Sequence, residues 1–302
     1  MVDSTIDVHP ARSILFVPAN REDRMRKSLT LDTDAVIFDL ESAIPRGEAT
    51  VARSMVRDVL DSHKAARPRI FVRISAVTTD DFDEDLTAAV HPNLSAIVLP
   101  QVVSADDVVA TDAALTRAEE AAGVRVGSTI IWPMLETANA LRTAYEIASS
   151  SPRIAYMGGA TSRGGDLARS VGFRFTPEGN ETLFLRSKAL IDMRSANVAN
   201  PVSGMWGTIE DLDGLRTFAR GTRNLGYEGM MVIHPSHLAI VNEEFTPSAA
   251  ELDEWRGIVA AMEEAERDGL GAIRLNGRLI DVAHVLTAQK ELGRARRLGL
   301  VD

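Results

Sequence analysis

Glu136 and Asp166 are the residues of this 302-residue chain whose types and spacing first suggest chemistry. Glu136 ends an apolar run, Thr129-Ile130-Ile131-Trp132-Pro133-Met134-Leu135, and a helical pattern through Ala138, Leu141, Tyr145, Ile147 and Ala148 follows. A second short run, Ile154-Ala155-Tyr156-Met157, breaks into the glycine-rich loop Gly158–Gly165 and lands on Asp166. This is the pattern of a βαβ unit with a carboxylate at each strand exit. Consecutive strands of a parallel sheet exit on one face, so the two acids can converge. Converging carboxylates suit a hard divalent cation such as Mg2+. A plainer role is open to each: Glu136 as a charge near the N-terminus of its helix, Asp166 as a cap for the next. The Gly159-to-Gly164 spacing matches a phosphate loop, but Gly165-Asp166 stands where Lys-Ser/Thr is required, which excludes that reading.

Such a pair needs a scaffold of repeated strand–helix units. Short apolar strands are predicted at Ser13–Val17, Ala35–Phe38, Arg69–Val72, Ser95–Leu99, Thr129–Leu135, Ile154–Met157, Asn197–Val202 and Gly229–Ile233. Helices are predicted between them, including Glu48 to His63, Ser104 to a stop at Gly123, and one opened by Thr176-Pro177. The acidic segment Asp80–Asp85 reads as a solvated helix start. The fold class is therefore α/β, a (β/α)8 TIM barrel over residues 1–245. Residues 246–302 form a C-terminal helical extension, with a Ser248/Glu251 capping box and a last helix through Leu279, Val285 and Leu286. The extension has no place inside the barrel and is expected to pack outside it or on a neighbouring subunit. Asp39, Glu41, Arg73, Gln101 and His234 join the two acids at strand exits, the face on which barrel enzymes place their chemistry. Asp39 and Glu41 would support a metal through water or pair with Arg53. Arg73 would meet substrate or form a strand-end ion pair with Asp39 or Glu41. His234, before Pro235, would hold its loop, Arg163 would face substrate or solvent, and Trp132, Trp206 and Trp255 would pack.

The composition, 45% hydrophobic, is enough to bury a full core, while a net charge of −10 disfavours nucleic acid and anionic membranes as partners. With no cysteine, thiol catalysis, thiolate metal sites and disulfides are excluded. The first residues lack the basic and apolar regions of a signal peptide, and no apolar run is long enough to cross a membrane, so a cytoplasmic protein is expected.

The same residues, in order along nearly the whole chain, resemble the citrate lyase beta-subunit-like branch of the HpcH/HpaI aldolase family. The resemblance rests on Arg12–Pro18, Asp34–Glu41 with Ala52-Arg53, Val72-Arg73-Ile74, Leu99-Pro100, Leu135-Glu136-Thr137 and Gly165–Ala168. It continues through Gly226–Gly229, Ile233-His234-Pro235, Phe245–Ser248 and Gly277–Asp281. It implies a barrel, trimeric or a dimer of trimers, that makes or breaks a C–C bond between a 2-oxo acid and an acyl thioester. It further implies that Glu136 and Asp166 hold Mg2+ (Mn2+ being the alternative ion), on which Glu136 helps to seat the oxo acid. Arg73 would bind the oxo acid and offset developing charge, and Asp281 from a neighbouring subunit's tail would be the acid/base for the acetyl group's proton. Coenzyme A would then arrive as part of a malyl- or citramalyl-type substrate. Departures from the family pattern fall at Ala19, Ser42, Glu48-Ala49, Gln101 and the longer glycine loop, and the lost lysines bear on coenzyme A binding. Two alternatives stand beside the lyase: a metal-dependent pyruvate aldolase using no thioester, and a non-catalytic assembly subunit.

Overall fold

The computed structural model describes residues 8–42, 44, 45, 47–159 and 161–301. The first seven residues, read above for a leader, and Ala160 of the glycine loop lie outside that description. The chain divides into two compact units, residues 1–245 and 246–302.

In the first unit strands and helices alternate. In chain order they are β1 (Ser13–Pro18), α1 (Glu22–Ser28), β2 (Ala35–Asp39), α2 (Ala49–Ser62), β3 (Arg69–Arg73) and α3 (Phe82–Ala89). Then come β4 (Leu94–Leu99), α4 (Ala105–Ala122), β5 (Ile130–Pro133), α5 (Ala138–Arg142), α6 (Ala144–Ala148) and β6 (Tyr156–Met157). The unit continues with α7 (Asp166–Val171), α8 (Asn180–Ser195), β7 (Asn200–Ser203), α9 (Leu212–Leu225), β8 (Gly229–Val232) and α10 (Leu238–Phe245). The strands pair in parallel in the order β5-β4-β3-β2-β1-β8-β7-β6. Parallel bridges Ile131–Ile154 and Met134–Gly158 close the ring between β5 and β6, giving the expected (β/α)8 barrel. No helix among the described residues is long and apolar enough to cross a membrane.

The strands are apolar on both faces, as parallel strands covered by helices must be. Along β2 the faces separate cleanly: Val36 and Phe38 join the layer under the helices, whereas Ala35 and Ile37 point into the barrel. Phe71, Trp132 and Tyr156 fill that interior, with ring centroids 5.1 to 6.2 Å apart. Side chains alternate with period two along a strand. The interior series Ala35-Ile37, Phe71 and Trp132-Met134 therefore continues onto Asp39, Arg73 and Glu136 at the mouth. Helix amphipathicity sets the outer layer, as in α2, which buries Ala52, Val56, Val59 and Leu60. The Ser104/Asp107 capping box and left-handed Gly123 bound α4 as the sequence predicts.

The seam between β5 and β6 is thin in backbone pairing, and side chains reinforce it. Gly159 is squeezed there, since a Cβ on it would lie 2.1 Å from the Leu135 carbonyl oxygen, and on the other side of β6 a Cβ on Gly158 would lie 1.7 Å from that of Val202 in β7. Arg153, just before β6, binds Glu119 of α4 through two bonds of 2.8 and 3.0 Å and Asp112 at 2.6 Å. Glu119 is fully buried and also accepts the Gly127 and Thr129 N–H groups. Arg153→Met is expected to lower stability by about 3–5 kcal/mol, because it strands a buried carboxylate. A urea midpoint corresponding to less than about 1 kcal/mol of loss would count against this reading of the seam.

Four local expectations are corrected. The Thr176-Pro177 segment is a turn, and α8 begins only after Gly179, whose left-handed φ of 65° occupies the N-cap position. Thr176 instead donates its N–H and hydroxyl to Glu181. The acidic segment is not wholly solvated, since Asp85 is buried and receives Arg53 at 2.6 Å and the Ser75 N–H at 2.9 Å. Arg53 pairs with Asp81, Glu84 and Asp85, not with Asp39 or Glu41. Finally, the second unit is not all helix. Between α11 (Ala249–Arg267) and α12 (Val282–Arg297) lies an antiparallel hairpin of β9 (Ala272–Leu275) and β10 (Arg278–Asp281), which takes Leu279 out of the last helix. Asn276 and Gly277 form its turn at φ 49° and 79°, the left-handed pair that a two-residue hairpin of type I′ requires. The Ser248/Glu251 capping box opens α11 as expected, and Ile258, Met262, Ile280 and Ala288 form the unit's own small core.

Candidate active site

A cavity of about 360 Å3 opens at the strand exits, lined by Asp39, Arg73, Glu136, Asp166, Phe16 and Met205 among others. Arg73 is its fixed cation. Neighbouring strands β2 and β3 place Asp39 directly beside it in register, and the guanidinium forks onto that carboxylate through Nε and Nη2, both at 2.7 Å. Nη1 lies 3.0 Å from Glu41, and the Cζ sits 5.0 Å from the Phe16 ring centroid. Arg73 is thus a strand-end ion pair, and it also lines the cavity. Asp39 and Glu41 hold Arg73.

Glu136 is 6% exposed, and its Oε2 accepts the Gln101 N–H at 2.8 Å. Gln101 follows β4 with φ at 51°, a left-handed conformation uncommon outside glycine, and its side-chain amide donates to Glu41 at 3.2 Å. Burial pushes the Glu136 carboxyl above its usual range; Gln101 and Arg73 pull it down, and the charges of Glu41 and Asp166 push it up again. Asp166 stands in the first turn of α7 behind the N-cap Gly165 and pairs with Arg169. The structure therefore brings both carboxylates to one cavity. Among the described residues, no group hydrogen-bonds the second oxygen of each, Glu136 Oε1 and Asp166 Oδ2.

This donor set fits Mg2+, which takes one or two carboxylates and completes its octahedron with water and substrate oxygens. Among the described residues there is no cluster of three or more His, Cys, Asp or Glu that could hold a metal, so an all-protein cage of the kind structural Zn2+ prefers is not formed by them. The uncompensated charge at Glu136 has a measurable consequence. Its raised folded-state pKa means that its contribution to stability is complete below the unfolded pKa and lost as pH rises through the folded value. Glu136→Gln is accordingly expected to raise the thermal midpoint of the metal-free protein near neutral pH while abolishing Mg2+ binding. If Glu136 ligates Mg2+ in the unsubstituted protein, proton and cation compete for it, so calorimetric Mg2+ affinity should fall as pH drops through its raised pKa. Affinity that stays flat as pH drops, or is retained in Glu136→Gln, would remove Glu136 from the metal.

His234 accepts the Ser236 N–H on Nδ1 and caps the short helical turn Pro235–His237, which is the loop-holding role expected of it. Arg163 is exposed. Trp132 and Trp206 are buried, and Trp255 is half-buried. Asp281 belongs to the second unit, where it is the N-cap of α12, accepting the Ala283 N–H at 3.0 Å and facing His284 Nδ1 at 2.7 Å. The bond with His284 lowers its pKa. Three participants had no counterpart in the sequence reading: Phe16 beneath Arg73, His284 beside Asp281, and the backbone of Gln101. A His three residues after a helix-capping acid could have signalled the second. Nothing in the sequence announces a left-handed glutamine.

Comparison with known proteins agrees with this architecture. A profile of the family described as HpcH/HpaI aldolase/citrate lyase matches residues 12–235. A (3S)-malyl-CoA thioesterase of Cereibacter sphaeroides is 33% identical over 290 residues, 96% of either chain. The citrate lyase subunit beta of Escherichia coli is 30% identical over 289 residues, covering 96% of this chain and 94% of that one. Among solved structures, the CitE protein of Mycobacterium tuberculosis in complex with magnesium, acetoacetate and coenzyme A superposes with a TM-score of 0.70 at 26% identity, over 95% of this chain and 98% of that one. With its barrel, its paired carboxylates and these relatives, the chain is an enzyme of the HpcH/HpaI aldolase/citrate lyase family.

Proposed function

We propose that the enzyme is a Mg2+-dependent carbon–carbon lyase. Its substrate would be a 3-hydroxyacyl-CoA thioester of the malyl or citramalyl type, and its products acetyl-CoA and a 2-oxo acid, glyoxylate or pyruvate. The observation that carries this is one cavity holding Glu136, Asp166 and the guanidinium fork of Arg73. Bound there, Mg2+ would supply Lewis-acid stabilisation of the oxygen that becomes the oxo acid's carbonyl. As the hydroxyl gives its proton to solvent, the C–C bond breaks: the hydroxyl oxygen becomes the oxo acid's carbonyl, and the bond's electron pair passes to the acetyl thioester as an enolate. Arg73, already fixed by Asp39 and Glu41, orients the oxo acid and meets the negative charge that develops. Asp281, carried by the second unit of a neighbouring copy in a homotrimer or hexamer, exchanges the proton with the acetyl carbon. Its lowered pKa suits a carboxylate that removes that proton in the condensing direction.

A second cavity supports a thioester carrying phosphates. It measures about 360 Å3, shares Phe16, Val17, Pro18 and Ile233 with the first, and bears Arg24 and Lys27 on its rim. Among the described residues no carboxylate forms an ion pair with either side chain, which suits both to polyanionic phosphate. In the cavity on the other flank, Arg53 is the one cation among the described lining residues, and it is surrounded by Asp81, Glu84 and Asp85.

The test is a turnover assay offering malyl-CoA and citramalyl-CoA with Mg2+. Release of glyoxylate or pyruvate that disappears with EDTA, and in Glu136→Ala and Asp166→Ala, supports the lyase and names its substrate. Metal-dependent pyruvate aldol activity without any thioester turnover would replace it with the aldolase. Metal binding with neither activity would favour an assembly role. Appearance of free malate or citramalate with coenzyme A would place thioester hydrolysis after or beside C–C cleavage.

A further inference from the structure

The acidic cavity has an apolar end. Phe16, Val17, Pro18 and Ile233 form the wall common to it and to the neighbouring cavity that bears Arg24 and Lys27. Met134 and Met205 line the acidic cavity and not that neighbour. Met134 is 1% exposed and stands two positions before Glu136, on the strand face that the carboxylate continues. Met205 follows β7, and its place is fixed on both sides. The Gly204 N–H donates to the Gly159 carbonyl at 3.1 Å, while the buried Trp206 packs its ring 5.8 Å from that of Phe175 and 5.7 Å from that of Phe218. Met205 itself is half-buried and rests on the interior layer that contains Met134 and Trp132.

The polar functions of a 2-oxo acid are met elsewhere in the cavity. Glu136 and Asp166 are the carboxylates for Mg2+. Arg73 is the one cation among the described lining residues, and its guanidinium has N–H groups beyond those given to Asp39 and Glu41. What is left of the oxo acid is the substituent on its keto carbon. We propose that Met134 and Met205 form the subsite for that substituent, and that the enzyme selects 2-oxo acids carrying a small alkyl group, pyruvate and 2-oxobutyrate, over glyoxylate, which carries only hydrogen. An oxo acid is placed here by the lyase reading, on which this subsite rests; of the two thioesters left open there, citramalyl-CoA is the preferred one. Thioether side chains are flexible enough to close around a methyl or an ethyl group. Each carbon buried against them is worth about fourfold in affinity. A hydroxyl in the same place gives up water for no partner. Ser162, the one neutral hydroxyl among the described lining residues, belongs to the loop before Asp166.

Calorimetric titrations give the test, because they need no thioester. 2-Oxobutyrate and hydroxypyruvate, alike in size and differing by a methyl group against a hydroxyl, are titrated into the full-length protein saturated with Mg2+. 2-Oxobutyrate is expected to bind about tenfold tighter. Met205→Gln, which preserves length and adds an amide, should bring the two within about twofold, while Met205→Leu should keep the preference. Equal affinities in the unsubstituted protein, as a hydroxyl bonded to Ser162 would give, or no binding of either oxo acid, would overturn the proposal. So would a preference untouched by Met205→Gln. Turnover separates this failure from that of the lyase reading. In kcat/KM, citramalyl-CoA should exceed malyl-CoA by about tenfold or more. Equal values for both would leave a lyase without the subsite, and an oxo-acid preference with neither thioester turned over would leave the subsite without a lyase.

Discussion

Arg73→Lys is expected to lower kcat by about 100-fold or more, with a much smaller change in KM. The reason is a count of donors. A guanidinium has about five N–H groups in a rigid plane. Asp39 takes two of them, at Nε and Nη2, and Glu41 takes one at Nη1. One N–H on each terminal nitrogen is left, and Arg73 lines the cavity that holds Glu136 and Asp166. Lysine keeps the positive charge next to Asp39 and Glu41, but its ammonium cannot serve two carboxylates and present a two-pronged donor at once. The lost interaction is the one that strengthens as charge develops, so it appears in kcat; loss of one such preorganised donor typically costs about 3–4 kcal/mol of barrier. Arg73→Lys activity within tenfold of the unsubstituted enzyme would show that Arg73 is a structural ion pair only. The thermal midpoint is the control, because Arg73→Ala would also leave Asp39 buried and alone.

What could be read from the sequence, and what could not, follows from range. The barrel and the convergence of Glu136, Asp166 and Arg73 were legible because each depends on local signals: an apolar run, its exit, and the period of two that assigns a face. The hairpin at Asn276-Gly277 was equally legible, and a helical reading through Leu279 overrode the strongest short-range hairpin signal there is. Thr176-Pro177 misled for the opposite reason: it has the form of a helix start, but Gly179 adopts the left-handed conformation at which α8 begins. The partners of Arg53 were beyond reach, since Asp85 lies 32 positions away and competes with Asp39 and Glu41 by three-dimensional proximity alone. Gln101 is of the same kind. Its N–H reaches Glu136 only because its backbone turns left-handed after β4, a conformation that glutamine does not advertise.

Mixing two inactive variants is expected to restore activity. Arg73→Ala damages the barrel site and leaves the second unit intact, whereas Asp281→Ala does the reverse. If a neighbouring copy supplies Asp281, a hybrid ring contains some sites built from an intact barrel and an intact foreign tail. For random mixing in equal amounts about a quarter of the sites qualify, so the refolded or co-expressed mixture should recover about 25% of normal turnover. If each copy used its own tail, every site in the mixture would lack either Arg73 or Asp281, and recovery would be nil. The surroundings of Asp281 favour the shared arrangement. Its unit presents Leu279, Val282 and Leu286 to solvent at 68, 61 and 61% exposure, on either side of the carboxylate in sequence. Large apolar side chains left this exposed are candidates for a surface that a partner covers. Leu279→Asp should therefore reduce assembly, read as a smaller particle by light scattering, and lower turnover together with it. Turnover lost from a particle of unchanged size would separate Leu279 from the contact. Asp281→Ala, with assembly unaltered, should cost about 10^2–10^4 in rate, the usual contribution of a positioned acid/base. Because the His284 bond lowers the pKa of Asp281, His284→Ala should move the acidic limb of the condensation rate upward in pH without altering particle size. That shift, measured on the assembled enzyme, ties the proton exchange to Asp281 and not to a carboxylate of the barrel.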